Sequence, residues 1–164
     1  MKFKQFIETE TMEMQPPAIK PKRVLWSGIQ ISSQERNRIN QIFAERLQPL
    51  LEQGWQQANK PPVGVPPELL PDHVTIVAMQ ELPADAKHLL GTEQPMRIVG
   101  WGQSDLAAAV AVESPVKFMN SQPHMTMAIS PMGKPFHSNQ ISNWEKLEPH
   151  EQLTVKGFVI EKTA

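Results

Sequence analysis

Two tripeptides of the same form stand out, His73-Val-Thr75 and His124-Met-Thr126. In each, a histidine is followed by an apolar residue, a threonine and a second apolar residue, Ile76 in one copy and Met127 in the other. An imidazole titrates near a pKa of roughly 6.5, so at working pH it can both take and give a proton. One imidazole suits the removal of a proton from an attacking hydroxyl or water, and the other suits its delivery to a leaving oxygen. The two threonine hydroxyls can donate to the non-bridging oxygens of a phosphate between them and hold it in line for attack. A single His-x-Thr says little, because histidine is a common polar residue at a strand start. Two copies in matching apolar context make a symmetric acid/base and phosphate-holding set.

Other residues are candidates for substrate contact. Trp26 offers a face on which a nucleobase can stack or a packing surface within the domain. Lys134, Ser138 and Asn139 lie just past the second motif, in GKPFHSN, and suit the neutralising and orienting of a phosphate or ribose. The competing expectation for Lys134 is a solvated turn residue, and for Ser138 and Asn139 it is turn capping. His137 is a possible third imidazole but reads more readily as a loop surface residue. Trp101, between Gly100 and Gly102, reads as packing, and His88 and His150 as surface.

Rival chemistries lack their patterns. No two histidines stand at helical i, i+4 spacing and no carboxylate pattern joins His73, His124 and His137, so no zinc site is expected. There is no Gly-x-Ser-x-Gly turn for a nucleophilic serine and no glycine-rich phosphate loop. The chain has no cysteine, which removes disulfides, thiolate metal sites and a cysteine nucleophile. No metal and no cofactor are expected.

The elements that must position these residues follow from periodicity. Side chains alternate along a strand, so HVTIVAMQEL (73–82) and HMTMAIS (124–130) each present histidine and threonine on one face and bury an apolar face. RVLWSGIQIS (23–32) reads as a further strand, weakened at Gly28, which marks a bulge or a close approach by a ligand. Ser32 and Glu35 form a capping box, and Ile39, Ile42, Phe43, Leu47, Leu50 and Leu51 recur at helical spacing. Pro49 is expected to kink or split this helix, with a second short helix ending around Trp55 to Ala58. NKPPVGVPPELLPD (59–72) is a proline-rich loop. PADAKHLLG (83–91) predicts one or two helical turns stopped by Gly91. MRIVGWGQ (96–103) and LAAAVAVES (106–114) predict two strands joined by a tight turn, ISNW (141–144) a short helix, and LTVKGFVIEK (153–162) a last, antiparallel strand. Residues 1–22 read as an N-terminal appendage and linker, and residues 23–164 as one α+β domain with about six strands.

Composition narrows the partners. The 164 residues carry a formal net charge of −1, whereas a protein gripping long nucleic acid through many phosphates usually carries a basic excess. A nucleotide, a short oligonucleotide or an RNA end fits better than a long duplex. No apolar stretch approaches the roughly 20 residues needed to span a bilayer, and the N-terminus lacks the features of a secretory signal. A cytoplasmic protein is expected, in the host cytoplasm if viral, with no membrane partner. The 16 prolines fall in clusters that divide the chain into segments separated by apolar periodic runs.

The chain resembles the 2H phosphoesterases, a superfamily with paired His-x-Thr/Ser motifs on strands. It is most similar to the cyclic phosphodiesterase domain of fungal tRNA ligases and similar phage proteins, including anti-CBASS phosphodiesterases. The resemblance covers residues 23 to about 162. It rests on LWSGIQIS, HVTI, AAAVAVE, and PHMTMAIS followed by GKPFHSN, whose Lys-Pro turn ending in Ser-Asn is the most distinctive part. Two departures are a short spacing between the motifs and Trp26 where similar proteins often have tyrosine. The resemblance implies a compact two-lobed α+β fold with antiparallel sheets flanking a central groove and a long N-terminal helix. It also implies metal-independent hydrolysis of a ribose-linked phosphodiester by His73, Thr75, His124 and Thr126. Three functions follow as expectations: hydrolysis of a 2′,3′-cyclic phosphate on RNA or a nucleotide, degradation of cyclic di- or trinucleotide signals, and nucleotide or RNA-end binding without cleavage.

Overall fold

In the computed structural model of the chain, residues 23–58 and 73–163 are described. The expected appendage over 1–22 and the proline-rich loop over 59–72 lie outside them. The described residues form an α+β arrangement of a mostly antiparallel sheet with few helices. Strand β1 (Val24–Ile31) leads into helices α1 (Ser33–Ile42) and α2 (Ala44–Glu52), and a short strand β2 (Gln56–Gln57) follows. The remaining strands are β3 (His73–Ala78), β4 (Glu93–Gln103), β5 (Ala107–Glu113), β6 (His124–Ile129), β7 (Trp144–Lys146) and β8 (Leu153–Thr163). The six expected strands are all present, and β2 and β7 are short additions to them.

The strands join in the order β2-β6-β5-β4-β8-β1-β3, with β7 also paired to β4. Every pairing is antiparallel, including both pairings of β8, as its short approach predicts. Strand β4 links the two ends. Its residues 93–98 pair with β8, its residues 100–102 pair with β7, and from Arg97 onward it pairs with β5 on its other side. Although β3 ends the order and β6 lies near the opposite end, the sheet curves until residues of these two strands come within 8 Å, Cα to Cα.

The core forms where the alternation requires. Val74 and Ile76 of β3, Met125 and Met127 of β6, and Ile29 and Ile31 of β1 are buried in one cluster with Ile39, Phe43, Leu47 and Leu50 of the helices. The Ser32 hydroxyl accepts from the Glu35 amide and starts α1; the reciprocal bond of the expected capping box is not made among the described residues, because the Glu35 carboxylate accepts from Arg38 instead. The helical segment is not one long helix, and its break is at Phe43 (φ −96°, ψ 13°), not at Pro49. Phe43 turns inward and stacks on Trp101, ring centroids 5.6 Å apart. Pro49 sits inside α2 on the exposed side. Its missing donor would have met the carbonyl of Glu45, an exposed residue in the first turn that water can serve. The second helix ends at Glu52 rather than near Ala58, because Gln56 and Gln57 pair with Ile129 and Ala128.

Two other expectations resolve clearly. The helical turns over 83–91 are a 3-10 helix, Ala84–Leu89, stopped by Gly91 at φ 81°. The short helix expected at 141–144 is absent: Trp144 instead opens β7, where it pairs with Gly102. A single half-buried tryptophan next to exposed polar residues has no periodicity to distinguish the two.

Candidate active site

The two motifs are built alike. In β3, Val74 and Ile76 are buried while His73 and Thr75 are half-buried on the opposite face. In β6, Met125 and Met127 are buried while His124 and Thr126 are half-buried. Thr75 lies opposite Gly28, and Thr126 lies opposite Ala109. Both partners have little or no side chain to fill the space beside the hydroxyl. A register shift sits immediately beside each, between Ser27 and Gly28 in one and between Ala108 and Ala109 in the other. Bulges bend a strand locally and re-aim its side chains, and they recur beside functional sites. The register shift beside Gly28 leaves Ile76 of β3 as the extra residue, so the irregularity expected on β1 lies on its partner strand, and the close approach at Gly28 is made by β3 itself: a Cβ there would collide with the Val74 carbonyl oxygen.

The convergence of the strands brings the imidazoles close enough for the charge of His124 to act on His73. Burial, first, and that repulsion, second, push the His73 pKa down to about 3. Its Nδ1 is buried without a hydrogen-bond partner among the described residues, so charging the ring would bury a donor with nothing to receive it. Trp26 lies flat against this ring, with centroids 3.4 Å apart and planes 4° apart. One face of the indole considered for a nucleobase is therefore packed on the first motif histidine. No described residue bonds the Thr75 side-chain hydroxyl.

The second half-site is fully bonded. His124 Nδ1 donates to the Gln122 carbonyl at 2.9 Å, since a carbonyl only accepts. His124 Nε2 is 3.1 Å from Ser138 Oγ, Thr126 Oγ1 donates to the same Oγ at 2.9 Å, and Ser138 Oγ donates to the Pro135 carbonyl at 2.8 Å. A serine has one proton to give. With that proton on Pro135, every group in this network is satisfied when His124 carries a proton on both nitrogens. Burial opposes that state and lowers the His124 pKa, while the Gln122 carbonyl acts in the other direction.

Ser138 is buried at the site on the 3-10 helix Pro135–Gln140. Lys134 and Asn139 are exposed at the edge of the same turn. Asn139 accepts from Asn120 Nδ2 at 3.3 Å, which ties the turn to the loop before β6. Lys134 has no ion-pair partner among the described residues, and its backbone N–H donates to His137 Nδ1 at 2.8 Å, so His137 caps the turn. Trp101 is buried between Phe43 and Arg46, and His88 and His150 are exposed.

No protein-family model and no curated protein matches the chain. Its chemistry therefore rests on the geometry. Among the described residues no group of three His, Cys, Asp or Glu side chains is arranged to hold a metal ion. No described helix is long and apolar enough to cross a membrane.

Two contributors escaped the residue pattern. The Gln122 carbonyl orients His124 through the backbone, which side-chain identity does not reveal. Trp144 reaches the second motif from β7, its ring 6.0 Å from that of His124. An aromatic beside a turn was the only signal for it.

Proposed function

We propose that the chain is a phosphodiesterase of the 2H type, hydrolysing a ribose-linked phosphodiester such as a 2′,3′-cyclic phosphate by paired-histidine catalysis. The observation that carries this reading is the convergence of two half-sites of the same construction, each a histidine and a threonine on one strand face beside a bulge. The division of the strands about β4, with β3 toward one end and β6 toward the other, supports a two-lobed 2H-like arrangement around a groove.

The asymmetry of the half-sites supports a division of roles between them. His73 is held neutral by burial and by His124, so it takes the proton from water as the new phosphorus–oxygen bond forms. His124 has its Nδ1 fixed on Gln122, so its Nε2–H gives a proton to the ribose oxygen as that phosphorus–oxygen bond breaks. Thr75 and Thr126 donate to the non-bridging oxygens. Ser138 Oγ, bonded to both His124 and Thr126, occupies the position of a phosphoryl oxygen and yields it to the diester. The two imidazoles and two hydroxyls complete this reaction without a metal.

That same bond network favours a second reading, in which the protein holds a nucleotide or RNA end at His73 and Thr75 without cleaving it. A panel of RNA 2′,3′-cyclic phosphate ends, nucleoside cyclic phosphates and cyclic di- and trinucleotides, with chelator present, separates the readings and the substrates. Under the catalytic reading His73→Ala and His124→Ala each lower kcat by at least about 10²-fold, with the circular dichroism spectrum unchanged. The pH profile of kcat/KM has an acid limb near the His73 value of about 3 and an alkaline limb below the ordinary histidine value of 6.5. Full activity in both variants overturns catalysis, and tight binding with no turnover by the unaltered protein supports the second reading.

A further inference from the structure

Beside the second half-site lies a cavity of about 760 Å³, which the acid/base mechanism does not use. Its floor is made by Gly100 and Ala111, two small residues on β4 and β5. Ala111 is the register partner of His124, which places the cavity next to the second motif histidine. Gln122, whose carbonyl holds His124, also lines the cavity, as does Trp144.

Trp144 is a fixed plate. Its Nε1 donates to the Ile141 carbonyl at 3.1 Å. Its benzo edge packs so tightly on Gly102 that a Cβ there would stand 2.5 Å from Cε3. The half-buried indole therefore presents an immobile aromatic surface next to His124. Stacking on a surface that needs no ordering is the usual way a nucleobase is held without sequence preference.

The charges around the cavity restrict what it takes. Arg97 is paired with Glu113 at 2.7 Å, and Glu145 with Arg46 at 2.6 Å. Lys146 has no ion-pair partner among the described residues and lines the cavity together with Glu148. One unpaired cation beside acidic neighbours suits a single phosphate and a neutral base rather than a polyphosphate. The volume lies within the range that encloses small ligands.

We infer that this cavity binds the nucleotide adjacent to the scissile diester, with its base on Trp144 and its phosphate near Lys146. The substrate then has at least two nucleotides, whether a linear oligonucleotide with a cyclic phosphate end or a cyclic oligonucleotide. The inference rests on the phosphodiesterase reading and goes beyond it by naming the substrate class.

The test compares the full chain with its Trp144→Ala and Lys146→Glu variants on three substrates: a nucleoside 2′,3′-cyclic phosphate, an oligoribonucleotide ending in the same cyclic phosphate, and a cyclic trinucleotide. Loss of a stacked base is expected to lower kcat/KM of Trp144→Ala roughly tenfold more on whichever larger substrate is used than on the single nucleotide. Lys146→Glu, an exposed change, shows the same selectivity through KM if Trp144→Ala folds poorly. Equal losses on small and large substrates, or no loss in either variant, overturn the inference. If the unaltered protein cleaves none of the three, the phosphodiesterase reading fails. The cavity is then judged by titrating the oligonucleotide: weaker binding by both variants sustains it and equal binding overturns it.

Discussion

Ser138 is the residue on which the second half-site turns, because its one hydroxyl meets His124, Thr126 and the Pro135 carbonyl. Ser138→Ala leaves these groups without a protein partner in a buried setting, which costs about 1–3 kcal/mol. A phosphate that supplies oxygens to His124 and Thr126 restores two of the lost bonds, and a ligand that binds only the folded state raises its melting temperature. Ser138→Ala is therefore expected to melt earlier than the unaltered protein and to gain more from added inorganic phosphate in thermal-shift measurements. A phosphate response no larger than that of the parent would show that Ser138 does not stand in for a phosphoryl oxygen. At this scale the sequence was readable where side-chain type and alternation suffice: the His-x-Thr pairs on like strand faces, and Ser138 within GKPFHSN beside the second of them. It was not readable where neighbours come from elsewhere in the sheet. Trp26 stacks on His73 because β1 lies beside β3, a register that no spacing along the chain specifies.

Elements set the angle at which these residues meet. Gly28 faces Thr75 across a bulge, so close that any side chain would strike the backbone of β3. Gly28→Ala must push β1 and β3 apart, and overpacking of this kind costs about 1–3 kcal/mol. Since His73 and Thr75 ride on β3, the same shift moves the proposed base and one phosphate donor. The expected result is a lower urea midpoint together with a reduced kcat. Unchanged stability and turnover would mean that the strand pair relaxes without cost. Strand identity was legible from β-branched and alternating residues, and the start of α1 was legible from Ser32, whose hydroxyl caps it. The helix break was not, because Phe43 is drawn to Trp101 by tertiary packing while Pro49, the local breaker, stands where solvent can serve the unpaired carbonyl. Strand β7 was missed for a related reason. Three residues take their conformation from pairing with β4, not from a pattern of their own.

At the scale of the whole molecule, closing the sheet until β3 meets β6 forces His73 into a setting that favours its neutral form. Its folded pKa of about 3 lies below the ordinary 6.5. As pH falls below that ordinary value the unfolded chain binds a proton that the folded chain refuses, so stability present at higher pH is lost between about 6.5 and 3. His124, also lowered by burial, adds to the loss in the same direction. The slope from one such group is at most about 1.4 kcal/mol per pH unit. Urea unfolding at a series of pH values from 7.5 down to 4 should therefore show a falling midpoint. In His73→Gln the fall should be shallower, because the substituted side chain takes no proton in either state. Parallel curves for the two proteins would mean that His73 is protonated as readily in the folded chain as in the unfolded one, and the assignment of His73 as the neutral base would fall with it.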